Sequence, residues 1–180
     1  ISGDIRSREI GRHLEYNIFD SIYIVRKYEG SGSTEYFISL ESSDKKVIFG
    51  FLRLRIPPKN HEPVYSSIKN TGLVRELHVY NNIVPVGENK KISTQHLGTG
   101  KTLVKLAEYI SWFYGLEGVS VITGEGVREY YHKRGYESIQ SYAVKKFKYT
   151  LWKLWFIIYF IQFLSLPFKF IQTIPIFLKY

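Results

Sequence analysis

A glycine pair at the mouth of an amphipathic helix constrains this chain more than any other feature. Gln95-His96-Leu97-Gly98-Thr99-Gly100 lies where a strand-like run gives way to a helix-like run at 101–114. Leu103, Leu106, Ala107, Ile110, Phe113 and Tyr114 recur at helical spacing and predict one apolar face. Glycine ahead of a helix lets the main chain approach a ligand closely. The first helical turn then offers unpaired N–H groups and the positive end of the helix dipole. Such a turn suits a phosphate or pyrophosphate. A P-loop would need glycine where Gln95 stands, and a dinucleotide fingerprint would need one at Leu103. On the residues alone two readings stay open: a phosphate-binding turn, or a glycine-rich turn into an ordinary core helix.

The 180 residues leave room for one domain with a proper core and an appendage. With no cysteine, disulfides, thiolate zinc sites, cysteine-ligated iron–sulfur clusters and a cysteine nucleophile are excluded. The chain begins at Ile1 and holds no methionine, so a fragment or processed piece is expected. The net charge of +9 is unevenly spread. All 16 acidic residues precede residue 138, which leaves +3 for 1–137. Lys145, Lys146, Lys148, Lys153, Lys169 and Lys179 supply the rest, so the basic character belongs to the tail and suits a membrane surface.

In chain order, residues 1–15 alternate charges too densely for a core strand and read as a solvated linker from a preceding domain. Ile18, Ile22 and Val25 predict a helix over 17–28, broken by Gly30-Ser31-Gly32-Ser33. Residues 36–40 and 47–54 form a predicted hairpin, with Arg53 and Arg55 on one face of its second strand. A strand follows at 73–79. Alternation puts Leu73, Arg75, Leu77 and Val79 on one face and Val74, Glu76, His78 and Tyr80 on the other. Glu76 and His78 thus read as a general base with its partner or as a polar pair on the sheet, and no further ligands follow at metal-binding spacing. After the glycine helix come a strand at 119–123, a short helix at 127–134 ended by Gly135, and a strand at 136–144. The order predicts a mixed α/β sheet flanked by helices, its phosphate turn at the carboxyl end of a central strand.

The order Gln95-x-x-Gly98-x-Gly100, after a strand and opening a helix, resembles the coenzyme A pyrophosphate loop of the GNAT acetyltransferases. Several further runs, taken in one order, narrow the resemblance. They are Asp4-Ile5-Arg6-Ser7-Arg8-Glu9-Ile10-Gly11, Thr34-Glu35-Tyr36-Phe37, Phe51-Leu52-Arg53-Leu54-Arg55 and Val74-Arg75-Glu76-Leu77-His78-Val79-Tyr80. Val84-Pro85 and Gly126-Val127-Arg128-Glu129-Tyr130-Tyr131-x-Lys133-x-Gly135-Tyr136-Glu137 complete the set. Over 4–146 the chain resembles the C-terminal acetyltransferase domain of the Elongator catalytic subunit. It departs from that pattern at Ser2, Leu97 and Thr99.

The resemblance implies a GNAT fold over 16–148, acetyl-CoA as cofactor, and a part in carboxymethyl-type modification of the tRNA wobble uridine. Elongator-type subunits are implied as partners. The family's radical S-adenosylmethionine domain and iron–sulfur cluster are not expected in a chain without cysteine. Gln95, His96, Leu97, Gly98, Thr99, Gly100 and Lys101 would hold the pyrophosphate. Main-chain amides around Leu77 and Val79 would polarise the thioester. Tyr130 or Tyr131 would protonate the leaving thiolate, since a phenol titrates near that of a thiol. Adjacent residues point about 100° apart on a helix, so one of the two meets the thioester while the other packs. Glu76 and His78 stand as further catalytic candidates, and Arg6, Arg8, Arg53 and Arg55 as contacts for tRNA. Two other readings accompany this one: a membrane-tethered protein lysine acetyltransferase, and a non-catalytic remnant that binds CoA or RNA.

Residues 149–180 change character. Residues 154–168 carry no charge and are rich in Trp, Phe, Ile and Leu. With Lys145, Lys146 and Lys148 just ahead, the tail reads as a hydrophobic helix that anchors the domain to the cytosolic face of a membrane, the mitochondrial outer membrane among the options.

Overall fold

The computed structural model of the chain describes residues 4–13, 15–80, 98–147 and 172–175. Four strands come first: β1 (Ser21–Gly30), β2 (Ser33–Ser42), β3 (Ile48–Ile56) and β4 (Thr71–Val79), each antiparallel to the next. Helix α1 (Thr99–Phe113) then leads to β5 (Gly118–Ile122), which runs parallel to β4. A short helix α2 (Arg128–His132) precedes the hairpin of β6 (Glu137–Ile139) and β7 (Tyr142–Lys146). β8 (Gln172–Pro175) adds in parallel to β1, giving the order β6-β7-β5-β4-β3-β2-β1-β8. The mixed α/β architecture expected from the sequence is what forms.

One face of the sheet is dry because α1 covers it. Ile38, Leu52, Leu54 and Val74 from the sheet meet Leu103, Val104 and Ala107 from the helix, all at 2% exposure or less. Val119 and Val121 extend that layer beneath β5. The buried stripe of α1 is Thr99, Leu103, Val104, Ala107 and Ser111. Phe113, predicted to join it, is 80% exposed, because it lies about 120° around the helix from the centre of that stripe.

The predicted helix over 17–28 is instead strand β1. Its apolar residues satisfy two periods at once, and ten registered pairs with β2 decide for the strand. Ser31 and Gly32, both at positive φ, make the two-residue turn whose twist suits a hairpin, so the glycine run joins strands rather than breaking a helix. The single strand predicted at 136–144 is likewise a hairpin, turned at Gln140 with φ 56°. Residues 4–13 lie against the domain in two 3-10 turns. Ile10 is fully buried with Leu40, Val47 and Phe49. Among the described residues no helix is long and apolar enough to cross a membrane. The predicted anchor falls mostly outside them, apart from Gln172–Pro175, which form β8.

The second face of the sheet is charged. Glu41 of β2 has no exposed side-chain area and is held by Arg26, Arg8 and Ser39, with Arg8 Nη2 at 2.6 Å and Arg26 Nη2 at 3.0 Å. Burial pushes its carboxyl up, but the bonds from Arg26 and Ser39 and the two arginine charges outweigh that, so its pKa is lowered. A lowered carboxyl gives stability that is present above the ordinary glutamate range near 4.3 and is lost as pH falls below it. Glu41→Gln leaves two part-buried arginines without their counter-ion and is expected to cost about 3 kcal/mol in urea denaturation at pH 7. The gap between the two proteins should narrow below about pH 4. An equal gap at pH 7 and pH 3 would show that the ion cluster does not hold this face.

Candidate active site

The first turn of α1 sits at the end of β4, and missing side chains let it sit there. Gly98 caps the helix in the left-handed region, φ 74° and ψ 16°, with no side-chain cap, and its carbonyl accepts Thr102 N–H at 3.0 Å. The N–H groups of a helix's first turn have no intrahelical acceptor, which is the arrangement an anion site uses. On β3, a Cβ at Gly50 would stand 2.9 Å from the His78 carbonyl oxygen and 3.4 Å from Thr99 Cγ2. A Cβ at Gly100 would stand 2.7 Å from the Tyr130 hydroxyl and 3.4 Å from Val79 Cγ2. Strand β4, helix α1 and helix α2 thus converge on Gly100. Lys101 follows on the exposed side of the helix, and Thr99 is buried. Gln95, His96 and Leu97 lie outside the described residues.

β4 and β5 part company halfway. Their parallel pairing runs from Thr71 with Gly118 to Val74 with Val121, whereas β4 continues to Val79. Beyond Val74, the edge of β4 toward β5 has no strand partner among the described residues, so its main-chain groups, those of Leu77 and Val79 included, can bond an extended ligand. A bulge at Arg75 interrupts the pairing with β3, where Arg53 opposes Glu76 and Leu54 opposes Val74. The extra residue shifts the alternation. Val74 and Leu77 both face α1, and Glu76 and His78 face the other side. Strict alternation had grouped Val74 with Glu76 and His78, and the bulge corrects that.

Helix α2 separates the two tyrosines. Tyr131 is 4% exposed and belongs to the core, its ring edge-on to Tyr136 at 5.5 Å and to Tyr130 at 5.0 Å. Tyr130 is half-buried, and its hydroxyl is buried with no hydrogen-bond partner among the described residues, beside Gly100. Burial pushes both phenols up, and the Arg134 charge works against that at each. Arg134, just past α2, lies with its guanidinium carbon 3.4 Å above the Tyr130 ring centre and donates from Nη1 to the Tyr130 carbonyl at 2.5 Å.

The remaining sequence candidates lie elsewhere. His78 stacks on Phe51 at 5.2 Å, and its Nε2 is 3.6 Å from Glu76 Oε1, beyond hydrogen-bond range. Glu76 also pairs with Arg53 at 3.3 Å. Both catalytic candidates on β4 are therefore on the sheet face opposite α1 and Tyr130. Arg55 binds Glu35 at 2.5 Å and Arg8 binds Glu41, while Arg6 is exposed in the N-terminal turn. Among the described residues no cluster suits a metal ion. A cavity of about 520 Å³ opens at the other end of the sheet, between the loop after β3 and the end of α1. Its Thr71 and Ser120 hydroxyls bond each other at 2.9 Å, and it holds none of the candidate residues except Arg55. Sequence reasoning missed Gly50 and Arg134. A glycine inside a strand and an arginine four residues after a tyrosine were the available signals.

The four antiparallel strands, the helical crossover into a parallel fifth, the divergence of β4 from β5 and the glycine-capped helix in that gap make up an acetyltransferase fold of the GNAT type. The chain is 40% identical over 147 residues to Elongator complex protein 3 of Schizosaccharomyces pombe. It is 40% identical over 150 residues to the tRNA uridine(34) acetyltransferase of Methanocaldococcus jannaschii. These matches cover 79% and 78% of this chain, and the chain spans only about a quarter of these relatives' length, 27% of each. Among solved structures, archaeal Methanocaldococcus infernus Elp3 with residues 1–46 deleted superposes with a TM-score of 0.68 at 37% identity. That match covers 79% of this chain and 35% of that one. No family model matches the chain.

The convergence on Gly100 depends on β3 lying close beneath the helix start. Gly50→Ala sets a methyl against main chain that cannot swing away and is expected to cost about 1–3 kcal/mol in chemical denaturation. An unchanged midpoint would mean that α1 has room to retreat.

Proposed function

We propose that this chain forms the acetyl-CoA-handling acyltransferase domain of an Elongator-type enzyme that modifies the wobble uridine of tRNA. One observation carries the reading: the Tyr130 hydroxyl, buried with no hydrogen-bond partner among the described residues, lies beside Gly100 in the first turn of α1, next to the edge of β4 that β5 leaves. The likeness to tRNA uridine(34) acetyltransferases supports the choice of acceptor.

The residues present fit acetyl-CoA. The N–H groups of the first helical turn after Gly98, with Lys101 beside them, suit its pyrophosphate. The edge of β4 that β5 leaves, around Leu77 and Val79, suits the amides of its pantetheine arm. When bound, acetyl-CoA supplies an activated thioester. Tyr130 would deliver the proton to sulfur as the carbon–sulfur bond breaks, and Tyr131 holds the neighbouring core. Glu76 and His78, on the opposite face, belong to the structure of the sheet rather than to this step. A phenol acts as an acid only while protonated, and Tyr130 titrates above the ordinary value near 10.

The test is turnover of acetyl-CoA by the chain, with and without tRNA. Tyr130→Phe is expected to lower turnover by about a hundredfold or more. Tyr131→Phe should act mainly on stability. The alkaline fall in activity should lie above pH 10 and vanish in Tyr130→Phe, because removing the phenol removes the group that deprotonates. Turnover that rises with a lysine peptide but not with tRNA would overturn the acceptor. Full activity in Tyr130→Phe would overturn the acid.

A further inference from the structure

We propose that Arg134 is a positioning residue for the acid step: its guanidinium lies on the Tyr130 ring, bonds the Tyr130 carbonyl, and so holds the hydroxyl against the first turn of α1. This inference rests on Tyr130 being the acid. Three features of the structure carry it. The guanidinium carbon is 3.4 Å from the ring centre, the distance of direct planar stacking. Nη1 donates to the carbonyl of the same residue at 2.5 Å, so one side chain fixes both the ring and the backbone of Tyr130. Arg134 Nε is buried without a partner among the described residues, and no carboxylate is paired with this guanidinium in the described structure.

The local chain makes the arrangement rigid. Gly135, at φ 80°, ends α2 in a left-handed cap, with Gly135 N–H bonded to the His132 carbonyl at 3.0 Å and Tyr136 N–H to the Tyr131 carbonyl at 3.2 Å. Arg134 N–H is itself bonded to the Tyr131 carbonyl at 2.9 Å. The arginine therefore leaves the helix at a fixed place, four residues after the tyrosine it covers. On its other sides Tyr130 meets Tyr131 and Gly100, with Tyr136 beyond Tyr131, and neither of those phenols supplies a positive charge. Arg134 is thus the one cation described against the ring. As the proton passes to the leaving sulfur, negative charge appears on Tyr130, and a cation already in place steadies it without rearrangement.

Four variants of the full chain test this: Arg134→Gln, Arg134→Lys, and each combined with Tyr130→Phe. Arg134→Gln is expected to lower kcat for acetyl-CoA turnover about tenfold, to leave KM nearly unchanged, and to move the alkaline limb of activity to higher pH. Arg134→Lys keeps the charge and should restore most of the limb's position. In Tyr130→Phe, where the ring remains but no proton can leave, Arg134→Gln should cost nothing further. An equal loss in both backgrounds would overturn the inference, since a purely structural arginine costs the same in either. An unmoved alkaline limb in Arg134→Gln would also overturn it, and that reading stands even if Tyr130→Phe is too slow to measure. A fully active Tyr130→Phe instead removes the acid assignment, and this inference with it.

Discussion

The arrangement depends on how closely the first turn of α1 comes to β3 and β4. A helix start can hold an anion only if its N–H groups stay open and a wall stands nearby to complete the site. Here side chains are absent at the points of approach. Gly50 lets the main chain of β4 and the methyl of Thr99 lie against β3. Gly100 leaves the volume that the Tyr130 hydroxyl enters. Gly98 takes a left-handed conformation that most residues adopt at a cost of about 1 kcal/mol or more. The helix is then held by its far side, where Leu103, Val104 and Ala107 are clasped by the sheet. Packing along the length of α1 thus fixes its position, and the glycines fix what its open end can face.

The other controlling feature is the divergence of β4 from β5. Four paired residues tie the two strands, and five more of β4 run on with β3 as their only strand neighbour among the described residues. A strand edge left unpaired inside a domain is costly unless something bonds it. The bulge at Arg75 lies just where the pairing stops, and it rotates the remaining side chains so that Leu77 stays with the core while Glu76 and His78 turn away. The same element therefore offers free main chain in the gap and a polar surface on the opposite face. That surface is organised around Glu35 and Glu41, both nearly without exposed side-chain area and both answered by arginines. Such pairs add little net stability, because desolvation offsets attraction, but they penalise any register that leaves a carboxylate alone.

These facts also explain what could be read from the chain and what could not. The glycine turn, the helix behind it and the α/β class follow from local rules, since each is written in residues near one another. Strand β1 was lost to a helical reading because Ile18, Ile22 and Val25 fit one period while Ile22 and Ile24 fit another. Only pairing with β2 decides between them. The bulge at Arg75 has no signature of its own, and so the faces of Glu76 and His78 could not be placed by counting. Ile10 sits in a charged run, and its burial comes from Leu40, Val47 and Phe49, distant in sequence. The divergent directions of Tyr130 and Tyr131 were legible from helix geometry. Which of them turns inward to the core was not, because that depends on Tyr136 arriving from the next strand.

The acid role proposed for Tyr130 brings opposing physical effects into one side chain. Burial beside the helix excludes water and aims the hydroxyl, but it also raises the phenol above its ordinary value. A thiol titrates near 8.5 and an unperturbed phenol near 10, so each further unit adds about 1.4 kcal/mol to the transfer of the proton to sulfur. A deeply buried tyrosine would be well placed and poorly matched. Tyr136 shows that extreme: it is 1% exposed, bonded to Glu108, and pushed far above the usual range, which suits a structural phenol and no acid. Tyr130 avoids it by being only partly buried and by carrying a guanidinium on its face. The cation lowers the cost of the phenolate while leaving the hydroxyl aimed at the helix. On this proposal Gly100 leaves room for the hydroxyl, while Arg134 both holds the ring and offsets part of what burial does to its acidity.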